Sequence, residues 1–267
     1  MMQDITIGQY YPADSPLHRM DPRVKIVGTM VYLVSVFLFG GWGFILAAAV
    51  LAALVIASKV PPVMMLRGLK PILIILIFTG ILNIFLTPGE VIWHYRALKI
   101  TSEGLVIAGK TSVRLILLVI GASVMTLTTT PNKLTDALES LMRPLKIFHV
   151  PVHEISMMMS IALRFIPILT EETDRIKKAQ MARGADFETG GLIQRVKAMV
   201  PLLVPLFVSA FRRANDLALA MEARCYHGGE GRTQMKPLCY RRSDYIAYAV
   251  LLAYLVFSIL ARVILHI

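Results

Sequence analysis

Charged residues are scarce in this chain, and one long stretch has none at all. Of its 267 residues, 17% are charged and 56% are hydrophobic, whereas soluble domains carry about 25% charged and about 45–50% apolar residues. Between Lys25 and Lys59 there is no charged side chain. This composition excludes a soluble enzyme and indicates an integral membrane protein.

The sequence also lacks the usual patterns of an enzyme. Cys225 and Cys239 are its only cysteines, and their basic surroundings indicate free thiols in a reducing compartment. No GxxxxGK[ST] phosphate loop is present, and the six histidines form no metal-ligand pattern. We therefore predict a non-catalytic chain without a cofactor or metal of its own. A membrane-embedded enzyme, which would need clustered carboxylates or a nucleophile, is the weaker alternative.

The apolar stretches predict an all-α membrane protein with about five transmembrane helices. We place these helices at about 24–40, 43–58, 71–87, 105–128 and 245–261. The stretch between Lys25 and Lys59 counts as two spans, because one helix of its 33 residues would exceed the hydrocarbon core of about 30 Å. The glycines from Gly40 to Gly43 separate the two.

This arrangement predicts where the ends of the chain lie. Five spans put the N-terminus in the cytoplasm, the C-terminus outside, and residues 88–104 in an outer loop. The cationic residues near the first three spans then share the cytoplasmic side, as the positive-inside rule requires. They are Arg19, Arg23, Lys25, Lys59, Arg67 and Lys70. We expect Asp21 and Pro22 to begin the first span, with Arg19, Arg23 and Lys25 anchoring it at the membrane surface.

Residues 130–243 predict a cytoplasmic module between a membrane region at 1–129 and a last span at 244–267. The apolar segments Ile155–Leu169 and Met199–Phe211 are interrupted by Arg164 or by prolines and are too short to span. We therefore expect about three long helices in the module. They would begin after Thr130, after Val150 and after the pair Gly190 and Gly191.

Two of these helices are predicted to end in the same pattern, Ala182-Arg183-Gly184 in one and Ala223-Arg224-Cys225 in the other. Steps of three, four and seven back from each arginine select one helix face. That face holds small and mostly apolar residues: Gln180, Ala179 and Ile176 in the first helix, and Met221, Ala220 and Leu217 in the second. Such an arginine can bind a carboxylate on another protein or simply complement the helix dipole. The residues alone leave both possibilities open.

The ordered set of motifs resembles the T components of energy-coupling factor (ECF) transporters. Four segments carry the resemblance: Ser15–Lys25 (SPLHRMDPRVK), Met181–Asp186 (MARGAD), Met221–Arg224 (MEAR) and His227–Thr233 (HGGEGRT). The chain is most similar to the shared T components that serve several vitamin importers. A dedicated T component of a biotin, cobalt or nickel importer is the alternative. Cys225 departs from the pattern, because the family usually has Gly or Ser there.

The resemblance implies a coupling subunit in the bacterial plasma membrane. Its expected partners are two ABC-type ATPases, which bind ATP and magnesium, and a small membrane substrate-binding subunit, but no nucleic acid. Arg183 and Arg224 would each enter a groove on one ATPase and pair with acidic residues there. The expected contacts with the substrate-binding subunit come from the apolar part of the module, at Met157, Met158, Met159, Pro167, Pro201 and Pro205.

Overall fold

A computed structural model describes residues 10–38, 40–41, 43–95, 98–187, 191–229, 235 and 237–265. The chain divides into two compact units, Met1–Ala137 with Leu238–Ile267, and Leu138–Pro237. Gly190, predicted to precede the third helix of the module, and the motif residues Glu230 to Thr233 lie outside the described residues.

Helices make up most of the first unit. They are α1 (Pro16–Arg19), α2 (Pro22–Leu38), α3 (Gly43–Ser58), α4 (Pro62–Arg67), α5 (Lys70–Leu86), α6 (Ser102–Thr128) and α10 (Arg242–Leu265). Helix α7 (Pro131–Met142) runs across the boundary between the units. The second unit continues with a 3₁₀ turn (Arg143–Phe148), α8 (Val152–Ala182) and α9 (Leu192–Ala223). The all-α prediction is confirmed, and a helix covers each of the five predicted spans, with ends that differ by four residues at most.

The outer loop predicted at residues 88–104 instead contains a β-hairpin. Strands β1 (Val91–Tyr95) and β2 (Leu98–Thr101) pair antiparallel, with Trp93 opposite Ile100. A run rich in β-branched and aromatic residues favours strands over an irregular loop. Thr101 joins the hairpin to α6, because its hydroxyl accepts from the N–H of Gly104 at 3.1 Å and donates to the carbonyl of Thr87 at 2.9 Å.

Three helices in the described part of the chain are long and apolar enough to cross a membrane. They are α6, α8 and the first part of α10, Arg242–Leu260. Helices α3 and α5 are shorter apolar helices. The appearance of α8 among the three departs from our expectation of an interrupted segment, because the helix continues through Arg164 and Pro167. Helix α9 likewise runs through Pro201 and Pro205.

The core of the first unit lies between α2, α3 and α6. Its buried side chains include Tyr32, Val36, Ala47, Leu117 and Val124. Gly121 of α6 lets the Tyr32 ring approach the helix backbone, because a Cβ at this position would meet the ring. Helix α10 joins this core through a hydrogen bond of 2.6 Å between the Ser35 and Tyr254 hydroxyls. Helix α2 therefore lies between α10 and the rest of this core.

Charged side chains at the start of α2 are buried, contrary to our expectation that they anchor the membrane surface. Asp21 caps α2 by accepting from the backbone N–H of Arg23 at 2.8 Å, and its carboxylate pairs with the Arg23 guanidinium at 2.9 and 3.1 Å. That guanidinium also donates to the carbonyl of Leu238 and stacks on the Tyr240 ring, 3.7 Å from the ring centre. Arg19 is exposed, whereas Arg23 and Lys25 are each 9% exposed, so the expectation is wrong for those two.

The same cluster ties three helix ends together. The carboxylate of Asp244, 1% exposed, accepts from the N–H of Asp21 at 3.0 Å and from the N–H of Arg241 at 2.7 Å. It thereby joins the start of α10 to the start of α2. Lys25 donates to the carbonyl of Thr128 at 2.9 Å and to the hydroxyl of Thr129 at 3.2 Å, which caps the C-terminus of α6.

The buried pair predicts a large difference between two Asp→Ala substitutions. Asp21→Ala leaves the Arg23 charge buried without its carboxylate, and such a loss costs about 3–5 kcal/mol. Asp14→Ala breaks an even shorter pair with Arg19, 2.6 Å against 2.9 Å, but both of those side chains are exposed, so little should change. Thermal unfolding of the full chain in detergent measures both. Equal melting temperatures for the two variants would show that the buried cluster is not essential.

Candidate functional site

The two arginine motifs adopt the same backbone structure at the ends of α8 and α9. After α8, the N–H of Gly184 donates to the carbonyl of Met181 and the N–H of Ala185 to the carbonyl of Gln180, both at 3.0 Å. After α9, the N–H of Cys225 donates to the carbonyl of Glu222 at 2.8 Å and the N–H of Tyr226 to the carbonyl of Met221 at 3.0 Å. Both are Schellman motifs.

Arg183 and Arg224 therefore occupy the same C-cap position in their helices. The residue that follows each of them is left-handed, with φ of +87° at Gly184 and +54° at Cys225. Cys225 thus adopts the conformation that normally favours glycine. Both arginines are exposed, as are Ala182 and Ala223 before them.

Helices α8 and α9 pack against each other in antiparallel orientation. Gln180, late in α8, donates to the carbonyl of Pro201, early in α9, at 3.4 Å. Glu172, earlier in α8, pairs with Arg213, later in α9, also at 3.4 Å. Because the order of contacts is reversed, the C-termini of the two helices point in opposite directions.

The two arginines consequently lie far apart. Each is eleven residues beyond the Glu172–Arg213 ion pair along its own helix. At a rise of about 1.5 Å per residue, this places Arg183 and Arg224 about 30 Å from each other. The antiparallel packing therefore presents two equivalent helix ends as two separate contact points.

Gln180 has a structural role that its place in the predicted face did not suggest. Pro205 has no N–H, so the carbonyl of Pro201, four residues earlier, lacks its helical donor. The side chain of Gln180 supplies one. Of the other residues in the two predicted faces, Ala179 and Ala220 are exposed, whereas Ile176, Leu217 and Met221 are half-buried.

The segment that follows Arg224 is held against the start of α8. Gly229 lies so close to the His153 ring that a Cβ on this residue would overlap it. The ring is fixed by a 3.0 Å hydrogen bond from its Nδ1 to Glu139, which also accepts from the Ser156 hydroxyl at 2.9 Å. Sequence reasoning missed these residues and also the Glu172–Arg213 pair. One signal in the sequence could have revealed this ion pair. An acidic pair at 171–172 and a basic pair at 212–213 lie equally far before the two arginines.

The residues expected to contact a substrate-binding subunit lie on the apolar parts of α8 and α9. Met158 is 58% exposed, Met157 and Met159 are half-buried, Pro167 and Pro201 are exposed, and Pro205 is half-buried. Helix α9 presents an exposed apolar face around them, which comprises Val196, Val200, Leu203, Val204, Phe207 and Phe211. A face of this extent on a helix is typical of a surface that contacts another protein or lipid.

The left-handed cap residues predict opposite effects of two substitutions. Gly184→Ala places a Cβ at φ of +87° and should destabilise the end of α8 by about 1–2 kcal/mol, whereas Cys225→Gly should stabilise the end of α9. Hydrogen exchange of the Ala185 and Tyr226 amides, which close the two motifs, measures each effect. Gly191→Ala is the control, because no heavy atom lies near its Cβ and its φ is not left-handed. Unchanged exchange in Gly184→Ala would contradict the role of these caps.

Comparison with known proteins gives a consistent result along nearly the whole chain. Residues 13–235 match the family model CbiQ, described as cobalt transport protein. A protein of Ruminiclostridium cellulolyticum is 53% identical over 97% of this chain and 98% of its own length. One of Acidaminococcus fermentans is 52% identical over 95% of both chains, and one of Clostridium kluyveri is 50% identical over 98% of both. All three are named energy-coupling factor transporter transmembrane protein EcfT. The chain therefore belongs to the CbiQ family, as a transmembrane T component of energy-coupling factor transporters.

Proposed function

We propose that the chain couples two cytoplasmic ABC-type ATPases to a small membrane subunit that binds a vitamin or another micronutrient. The observation that carries this proposal is the equivalence of the two arginine caps. Two helices end in the same motif with the same backbone geometry, and each end exposes one guanidinium. A single C-terminal arginine is explained by the helix dipole, but two matched ends on one antiparallel pair favour two equivalent docking sites.

The separation of the ends supports one ATPase for each arginine. At about 30 Å apart, the two side chains cannot enter a single groove. A guanidinium binds a carboxylate through two parallel hydrogen bonds, which fixes orientation as well as position. The small residues Ala182 and Ala223 beside the arginines allow the helix end to approach a groove closely. When the ATPases move together or apart, both helix ends would move with them.

The exposed apolar face of α9 and the methionines of α8 are the proposed contact for the substrate-binding subunit. Methionine side chains are flexible and adapt to different partner surfaces, which suits a component shared by several subunits. Helices α8 and α9 would carry motion from the arginine ends to this face. ATP and magnesium belong to the ATPases in this scheme, and the chain itself needs no cofactor. We place it in the bacterial plasma membrane with the N-terminus and both arginine ends in the cytoplasm and the C-terminus outside.

Substitution of the two arginines tests the proposed coupling role. Arg183→Ala and Arg224→Ala should each weaken association with the ATPases. In the proposed complex each arginine forms a buried charge pair with an acidic residue of an ATPase, and removal of one partner of such a pair costs about 2–5 kcal/mol. The double variant should abolish uptake. The controls are Lys178→Ala and Arg212→Ala, which remove exposed cations from the same two helices and should leave uptake intact. Normal co-purification and uptake in the double variant would refute the coupling role of the two arginines.

A second experiment separates a shared component from a dedicated one. Affinity purification of the chain from native membranes should recover two ATPases together with several different small membrane subunits. The family description names cobalt transport, so recovery of one constant small subunit would instead indicate a dedicated importer of cobalt, nickel or biotin. Recovery of the chain without any ATPase would contradict both.

A further inference from the structure

Two adjoining cavities in the first unit together have the shape and chemistry of a lipid site. One is an apolar cavity of about 410 Å³ between α2, α3, α6 and α10, within the range of about 300–1,000 Å³ that ligand sites occupy. The other is a polar cavity of about 440 Å³ beside α1. Met20 and Ser243 line both. An occupant could therefore extend from the polar cavity into the apolar one.

The apolar cavity is open to the surface of the unit along α10. Ile246 and Val250 line it, yet they are 64% and 62% exposed. Its lining residues on α10 run from Ser243 to Tyr254, a rise of about 16 Å. This is close to half of a hydrocarbon core of about 30 Å, so the cavity has the length of one leaflet.

The polar cavity carries an excess of positive charge. Arg19, Lys59 and Arg241 line it together with a single acid, Asp14. Arg19 is already paired with Asp14 through two hydrogen bonds of 2.6 and 2.7 Å. Those bonds, with a smaller contribution from the charge of Lys59, lower the pKa of Asp14, so that carboxyl stays ionised and committed to Arg19. In the part of the chain that the structure describes, Lys59 and Arg241 form no ion pair.

Lys59 stands in a conformation that would favour glycine. It follows the last residue of α3 with φ of +55°, a region in which a side chain is strained. Glycine would adopt this left-handed conformation after α3 with less strain. Lysine in place of glycine at this position indicates that its positive charge beside the polar cavity has a function.

We propose that these cavities bind one phospholipid with an anionic headgroup, whose phosphate contacts Lys59 and Arg241 and whose acyl chain fills the apolar cavity. Basic pockets at the ends of membrane helices are suited to such headgroups. The bound lipid would fill the gap between α10 and the α2–α6 core. This inference requires only that α2 and α10 lie in a bilayer, and it is independent of the coupling role of the arginine ends.

The test is native mass spectrometry of the full chain in detergent, titrated with palmitoyl-oleoyl phosphatidylglycerol or with phosphatidylcholine of the same acyl chains. We expect one phosphatidylglycerol molecule to bind in preference to phosphatidylcholine. The double substitution Lys59→Gly/Arg241→Gln removes both cations and should weaken phosphatidylglycerol binding about thirtyfold, to the level of phosphatidylcholine. Glycine at residue 59 suits the backbone, so this variant should fold, and its melting temperature checks that it does.

Two further variants and a displacement experiment distinguish a lipid site from a site for free anions. Ala247→Phe, in the wall of the apolar cavity, should weaken both lipids, whereas Arg67→Gln, an exposed cation outside both cavities, should weaken neither. Displacement of phosphatidylglycerol by millimolar inorganic phosphate would show a free-anion site and overturn the proposal. Equal affinity of the native chain and the double variant for phosphatidylglycerol would also overturn it.

Discussion

The polar groups at helix ends must be satisfied where little water is available, and much of this structure follows from that constraint. The first N–H groups and last carbonyls of a helix have no partner within it, and in a bilayer an unmet group is costly. Asp244 meets this demand for α2 and α10, and Lys25 meets it for α6. The charges at the start of α2 are therefore buried as capping groups. They also join helices that are distant in sequence, because Asp244 of α10 binds the residue that caps α2.

The same constraint explains one of the contacts between α8 and α9, the proposed coupling helices. Prolines inside α8 and α9 remove backbone donors, and the carbonyl opposite Pro205 takes its replacement from Gln180 of the neighbouring helix. This bond and the Glu172–Arg213 pair hold the two helices at separate points along their contact. Two points of attachment resist rotation as well as separation. A force applied at one arginine would therefore move the pair as one body instead of bending a single helix.

Most of the helices could be predicted from the sequence because apolar stretches, glycines and prolines mark their ends locally. The two arginine motifs were predictable for the same reason, since each is a short pattern on one helix face. The hairpin at 91–101 was missed because its charges suggested an irregular loop, while its β-branched residues decided the structure. The burial of Arg23 depends on Asp21 together with Leu238 and Tyr240, and a contact across more than 200 residues leaves no local sign in the sequence.

Cys225 shows how a departure from the family pattern can be reconciled with a common structure. The Schellman motif requires a left-handed residue after the arginine, and cysteine pays a conformational cost there that glycine would avoid. The contacts just beyond it offset that cost, because Gly229 packs on the His153 ring, which Glu139 holds in place. The contact with His153 of α8 thus fixes the path of the chain after Arg224. The left-handed conformation of Cys225 directs the chain along that path. At the other end the left-handed residue is Gly184, which adopts this conformation at little cost, so different residue types give the same geometry after the two arginines.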